Sequence, residues 1–205
     1  MMGDILLKGV RMDFLEKNLE DIIFEAAQTK DGRIALRERG LEFPIEGKLY
    51  RQVNLGGYGI ADLINVHIET SPIPGTKNTF RELNVEIIEL KRGEIKQSAL
   101  NQSCRYAKAV RILAKMCSKN IDNINVHITL IGSSVDDSSD TSFVYLYNEM
   151  EEFVDIYKYS YKFDGIEFEY ITHDWVKTNS NFPKDLISAL HEPGIRTLKS
   201  ILTRR

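Results

Sequence analysis

Two segments rich in β-branched residues, 60–68 and 80–90, flank a stretch at 70–79 that holds Pro72, Pro74 and Gly75. Two prolines and a glycine in so short a span impose turn geometry. The flanking segments are therefore predicted to pair as one long hairpin, which puts a sheet at the centre of the fold. Around it, Leu15, Leu19, Ile22 and Ala26 recur at helical spacing over 12–28, with Asp13 in capping position and Glu16 three residues on. Gly32, Gly40, Pro44 and Gly47 mark turns, 49–55 reads as extended, and Gly56-Gly57 breaks it. Residues 98–118 contain neither Pro nor Gly and form the strongest predicted helix. Beyond it the pattern predicts a buried strand at 126–132, an acidic loop at 133–142, a strand at 143–147, a short helix at 149–157 and a strand at 165–171. A last short helix is predicted around 185–191. This order predicts an α/β class with a mixed sheet flanked by helices and a C-terminal α/β extension.

A chain of 205 residues with 42% hydrophobic residues suits one large domain, or a domain with an appendage. The balance of 27 Lys+Arg against 30 Asp+Glu, net charge -3, argues against a wholly basic nucleic-acid coat. It leaves room for a local basic groove, because fields act within about a Debye length. Cys104 and Cys117 lie in one predicted helix with no His near them in sequence, so they read as packing thiols rather than zinc ligands. The first twelve residues carry Asp4, Lys8 and Arg11 around a short apolar run, unlike a secretory or membrane-spanning segment. The expectation is a soluble, cytoplasmic protein.

The chemistry is concentrated in two places: Gly59-Ile60-Ala61-Asp62-Leu63-Ile64, and Ile87-Ile88-Glu89-Leu90-Lys91-Arg92-Gly93. Strand side chains alternate faces, so Glu89 and Lys91 share one side while Ile88 and Leu90 take the other. Asp62 falls on the neighbouring hairpin strand, within reach of Glu89. Charges at the ends of apolar strands are costly unless paired or bound to a metal. Mg²⁺, with its oxygen ligands and retained waters, relieves the repulsion of two carboxylates. A lysine beside it can orient water or stabilise charge at phosphorus.

These residues resemble the PD-(D/E)XK nuclease superfamily, whose core is restriction-endonuclease-like. Gln102 and Tyr106 are similar to the Gln-x-x-x-Tyr element of RecB-like members, and residues 15–21 resemble the acidic first helix of related DNA-repair endonucleases. The match covers roughly 13–132. It implies a nuclease-like core over 1–132, with 133–205 completing the same domain. It also implies that Asp62, Glu89 and the Leu90 carbonyl bind Mg²⁺ (or Mn²⁺) and that Lys91 positions or activates the attacking water. Glu20, or Glu16 with the helix rotated, would serve the metal's outer shell, and Gln102 and Tyr106 would support the site or touch substrate backbone. Ala61 stands where the name-giving Pro would be, and the 70–79 loop lengthens the interval from Asp62 to Glu89. The implied activity is Mg²⁺-dependent hydrolysis of DNA phosphodiesters by a metal-activated water. RNA is not separable from DNA by sequence.

Charge is unevenly spread. Lys91, Arg92, Lys96, Arg105, Lys108, Arg111, Lys115 and Lys119 face a single acid, Glu94, over 91–119. Arg105, Lys108, Arg111, Lys115 and Lys119 fall on one helical stripe, opposite a buried stripe of Gln102, Tyr106, Val110, Leu113 and Cys117. Arg92, Lys96 and Arg105 are the candidate phosphate contacts. Residues 136–174 carry eleven acids, among them Asp155, Glu167 and Glu169, against Lys158 and Lys162. Such a surface repels DNA, so it faces away from substrate or toward a protein partner. Its aromatics read as packing, and His67, His127, His173 and His191 as ordinary core or surface histidines. Double-strand cleavage would favour a two-fold homodimer. The alternative from another class is a catalytically silent nuclease-fold protein that binds nucleic acid or serves assembly.

Overall fold

The computed structural model describes residues 16–117, 120–136, 143, 147, 150 and 153–171. Two antiparallel ladders open its sheet. β1 (Lys48–Asn54) pairs with β2 (Ile60–Pro72), and β2 pairs with β3 (Thr79–Leu90). The predicted hairpin is there, but longer than its loop chemistry suggested. β2 runs on to Pro72, which pairs with Thr79 at the very end of the ladder, where the missing N–H of a proline costs least.

A two-residue strand, β4 (Glu94–Ile95), precedes helix α3 (Gln97–Cys117), labelled so because two shorter helices come before it in the chain. α3 carries the chain over the sheet to β5 (Asn123–Gly132), which lies parallel to β3. β6 (Ser134–Val135) pairs with β4. β7 (Val154–Lys162) adds parallel to β5, and β8 (Gly165–Tyr170) returns antiparallel. The result is a six-stranded mixed sheet in the order β1-β2-β3-β5-β7-β8.

Both faces of the central strands are covered, so they read as near-continuous apolar runs. On one face Ile64, Val85, Ile87 and Leu130 pack against Leu100, Tyr106, Ala107 and Val110 of α3. On the other, Leu63, Ile88, Leu90 and Ile131 meet Leu19 and Ile23 of α1 (Glu16–Ala26) and Leu36 of α2 (Lys30–Glu38). The alternation of Ile87 against Ile88 and Leu90 is the one predicted for β3.

Several expectations are corrected. α2 occupies a stretch read as turns because of Gly32. Nine residues are too few to hold a helix alone, and tertiary contacts decide. Thr29 caps it by accepting the Gly32 N–H at 3.0 Å. Arg33 is buried and donates to the carbonyls of Ala27, Pro44, Glu46 and Gly47 and to Asn65 Oδ1. In α1 the buried residues are Leu19, Glu20 and Ile23, while Ile22 is exposed. In α3, Leu113 and Cys117 are exposed, and the buried stripe runs through Leu100, Ser103, Tyr106, Ala107, Val110 and Ala114. Arg111 leaves the predicted basic face, donating to the Val126 carbonyl and lying over the Phe153 ring.

Phe143 and Tyr147 are helical rather than extended, and 154–157, expected within a helix over 149–157, instead opens the strand at 154–162. Tyr157 and Tyr159 are buried on that strand, so its two-residue period wins over helical spacing. The expected helix at 185–191, together with Asp13, Leu15, Lys119, His173 and His191, lies outside the described residues. Among the described residues no helix is long and apolar enough to cross a membrane.

Candidate functional site

The end of β3, the start of β2 and the first turns of α1 converge. Asp62 Oδ2 accepts the Leu90 N–H at 2.9 Å. Glu89 Oε1 accepts from Lys91 Nζ at 2.7 Å, so the two side chains share a side as the strand period requires. Glu89 is 1% exposed, and its Oε2 is buried with no hydrogen-bond partner among the described residues.

Glu20 is buried on α1, with Arg51 Nη2 2.9 Å from its Oε1. Glu16 Oε2 accepts the Arg92 N–H at 3.0 Å, and Tyr159 donates to the Arg92 carbonyl at 2.7 Å. Either glutamate was expected at the site. Both lie close enough to act on Asp62, one at each end of the first helical turn.

The electrostatics follow from burial. Desolvation, then the charge of Asp62, pushes the Glu89 carboxyl up to about 7, and the bond to Lys91 only partly offsets this. Burial also raises Asp62, against the pull of the Leu90 N–H and Lys91, with Glu16 and Glu20 adding to the rise. For Lys91, burial works downward, but the hydrogen bond and charge of Glu89, with Glu16 and Asp62, outweigh it. The net shift is upward, so the ammonium is charged at neutral pH. A simple ion pair would lower its carboxylate partner. Here the partner rises, because too many carboxylates share too little water.

Gln102 and Tyr106 act one layer back. Gln102 donates to the Tyr106 hydroxyl at 2.5 Å, and that hydroxyl donates to the Ile60 carbonyl at 2.7 Å. Tyr106 is buried, so it braces β2 two residues before Asp62 and is closed to substrate. A Cβ on Gly59 (φ +118) would meet the Tyr106 ring at 2.9 Å, which accounts for the glycine of the Gly-x-x-Asp stretch. Arg92, Lys96 and Arg105 are exposed, and Lys96 pairs with Glu94 at 3.3 Å. On β7 and β8, Lys158 pairs with Glu169 and Lys162 with Glu167, which moderates part of the acidic surface.

Two features escaped the sequence. Gln52 of β1 donates to Glu20 Oε2 at 2.6 Å and reaches Asp62 Oδ1 at 3.4 Å. No periodicity marks it, since its placement depends on a left-handed backbone (φ 49). A second polar group lies in a cleft of about 630 Å³ beside α2, lined by Arg37, Glu42, His67, Glu86, His127 and Asp155 among others. There His127 pairs with Asp155 at 2.9 Å, and Glu86 accepts from Thr129 at 2.7 Å. The alternation of β3 and β5 could have shown it, because Glu86 pairs with His127 across the ladder.

Among the described residues no group of three or more His, Cys, Asp and Glu side chains is arranged to hold a metal ion. The donor set at Asp62 is two carboxylates, and one buried oxygen of that set lacks a partner. That fits a hard cation which keeps several waters. No protein-family model, curated protein or solved structure matches the chain.

Proposed function

We propose that the chain is a divalent-metal-dependent nuclease of the PD-(D/E)XK type, with a restriction-endonuclease-like sheet, that hydrolyses DNA phosphodiester bonds. The observation that carries the reading is the pair Asp62 and Glu89 at the ends of adjacent strands, with the Lys91 ammonium on Glu89 and one buried Glu89 oxygen unpartnered. A structural role alone gives no reason to bury Glu89 beside a carboxylate whose charge raises its proton affinity.

Asp62 and Glu89, with the Leu90 carbonyl, would hold Mg²⁺ or Mn²⁺. Such an ion, when bound, supplies charge neutralisation at phosphorus and an acidified water. The protein's own part is positional. The Leu90 N–H fixes the Asp62 carboxylate, and Glu89 fixes Lys91. Lys91, kept protonated, serves as a donor and positive charge for the attacking water and the phosphate rather than as a base. Gln102 and Tyr106 hold β2 in register. Arg92, Lys96 and Arg105 are exposed cations for substrate phosphates, and their contribution falls with salt.

The test is cleavage of plasmid and single-stranded DNA with Mg²⁺ or Mn²⁺ against EDTA, using wild type and the variants Asp62→Ala, Glu89→Ala and Lys91→Ala. Metal-dependent nicking lost in all three folded variants is expected. Full activity in all three refutes the residue assignment, and binding without cleavage in wild type favours the silent nuclease-fold reading. An RNA arm of the same assay separates the two substrates.

A further inference from the structure

We propose that Gln52 is a positioning residue of this site, whose side-chain amide ties Glu20 to Asp62 and fixes the side of the cation site that faces β1. The inference rests on the nuclease reading for the identity of the ligand.

The registers carry it. β1 and β2 pair at Arg51 with Leu63 and at Val53 with Ala61, so Gln52 stands opposite Asp62, yet it is absent from the ladder. β2 and β3 pair at Leu63 with Ile88, and one step further along that register sets Asp62 opposite Glu89. Gln52, Asp62 and Glu89 thus form one row across three strands.

Among the described residues Gln52 is the one non-glycine with positive φ, at 49°. That conformation is unfavourable for an L residue with a long side chain, and glycine or asparagine would adopt it more readily. Neither could do what Gln52 does, which is to donate to Glu20 Oε2 at 2.6 Å while lying 3.4 Å from Asp62 Oδ1. Strain at a site, coupled to contacts that only the strained residue makes, points to a positional role.

The chemistry agrees. An amide N–H satisfies carboxylate oxygens without bringing a full charge that would displace a cation. Arg51, the neighbour in sequence, lies 2.9 Å from Glu20 Oε1 and 2.9 Å from Asp21 Oδ1. Arg51 thus supplies charge beside Glu20 Oε1, while the Gln52 amide alone spans from Glu20 Oε2 to Asp62 Oδ1. Groups that orient a ligand-bearing carboxylate in this way tune metal affinity by roughly ten-fold or more.

The test is a thermal-shift titration of the full chain, stripped with EDTA, using MnCl₂ alone as the probe. Four proteins are compared: wild type, Asp62→Asn, Gln52→Met (shape kept, donor lost) and Gln52→Gly (strain relieved, donor lost). The expected result is a saturable rise in Tm for wild type, no such rise for Asp62→Asn, and a midpoint shifted about ten-fold to higher Mn²⁺ for both Gln52 variants. Midpoints equal to wild type in both Gln52 variants overturn the positioning role while leaving the metal reading standing. A shift in Gln52→Met with a wild-type midpoint in Gln52→Gly assigns the effect to backbone geometry and overturns the donor role. Absence of a Mn²⁺-dependent rise in wild type, or an undiminished rise in Asp62→Asn, overturns the metal reading itself. If Gln52→Met does not fold, Gln52→Gly, which carries no strain at φ 49°, decides alone.

Discussion

The Asp62 carboxylate and the Leu90 backbone are 28 residues apart in sequence and joined by a 2.9 Å hydrogen bond. That bond puts the aspartate against the last residue of β3, which stands between the paired Glu89 and Lys91 in sequence. A carboxylate fixed by a backbone N–H cannot drift away from its like-charged neighbour, so the repulsion between Asp62 and Glu89 is built into the fold.

Stability should fall as pH rises. Glu89 and Glu86 are each pushed from 4.5 up to about 7, both mainly by burial. Between those values the folded chain holds protons that the unfolded chain has released. Stability is therefore greatest below about pH 4.5 as far as these two groups act, and is lost as pH climbs toward 7. Each fully coupled proton contributes a slope of up to ~1.4 kcal/mol per pH unit. Urea unfolding at pH 5, 6, 7 and 8 should show this slope up to about pH 7 and a levelling beyond it. Glu89→Gln and Glu86→Gln should each flatten it, and an unchanged slope in either variant would remove that residue from the account.

Lys91→Met should destabilise the protein more at pH 8 than at pH 5.5. At the higher pH the charged Glu89 loses its one strong donor, at a cost of roughly 1–3 kcal/mol. At the lower pH Glu89 is protonated and loses little. Equal destabilisation at both pH values, read from urea midpoints, would mean that the 2.7 Å pair does not govern Glu89.

Gly59→Ala should cost about 2 kcal/mol or more, since it combines a left-handed backbone with a Cβ placed 2.9 Å from the Tyr106 ring. Tyr106→Phe should cost about 1 kcal/mol for the bond to the Ile60 carbonyl. Because those two residues brace the same turn, their effects should not add. A double mutant whose loss in Tm equals the sum of the single losses would argue against the bracing.

Gly32→Ala tests a reversal of sign. On a free helix the change is favourable by about 1 kcal/mol. Here the new Cβ would lie 1.9 Å from the Ala26 carbonyl oxygen, so α1 or α2 must shift. The expected outcome is a lower Tm. A higher one would show that the two helices do not pack as described.

Much of the architecture was legible because it is local. Pro72, Pro74 and Gly75 announced the hairpin, and the uninterrupted run of 98–118 announced α3. The geometry of the candidate site was legible for a related reason. The two-residue period placed Glu89 with Lys91, and the hairpin brought Asp62 to the same end. What escaped depends on contacts distant in sequence. Gly32 looks like a turn until Ala26 is seen against it, and Arg33 looks like a surface charge until five acceptors are seen around it. Strand β7 carries aromatics that fit either period, so the pairing with β5 decides. Gln52 was beyond reach, since nothing in Arg51-Gln52-Val53 signals a left-handed residue.

The most direct measurement is the anomalous difference map of a crystal soaked in MnCl₂. The account predicts a peak within coordination distance of Asp62 and Glu89, absent from an Asp62→Asn crystal treated in the same way. A peak elsewhere with that pair left bare, or full occupancy of the pair in Asp62→Asn, would contradict it.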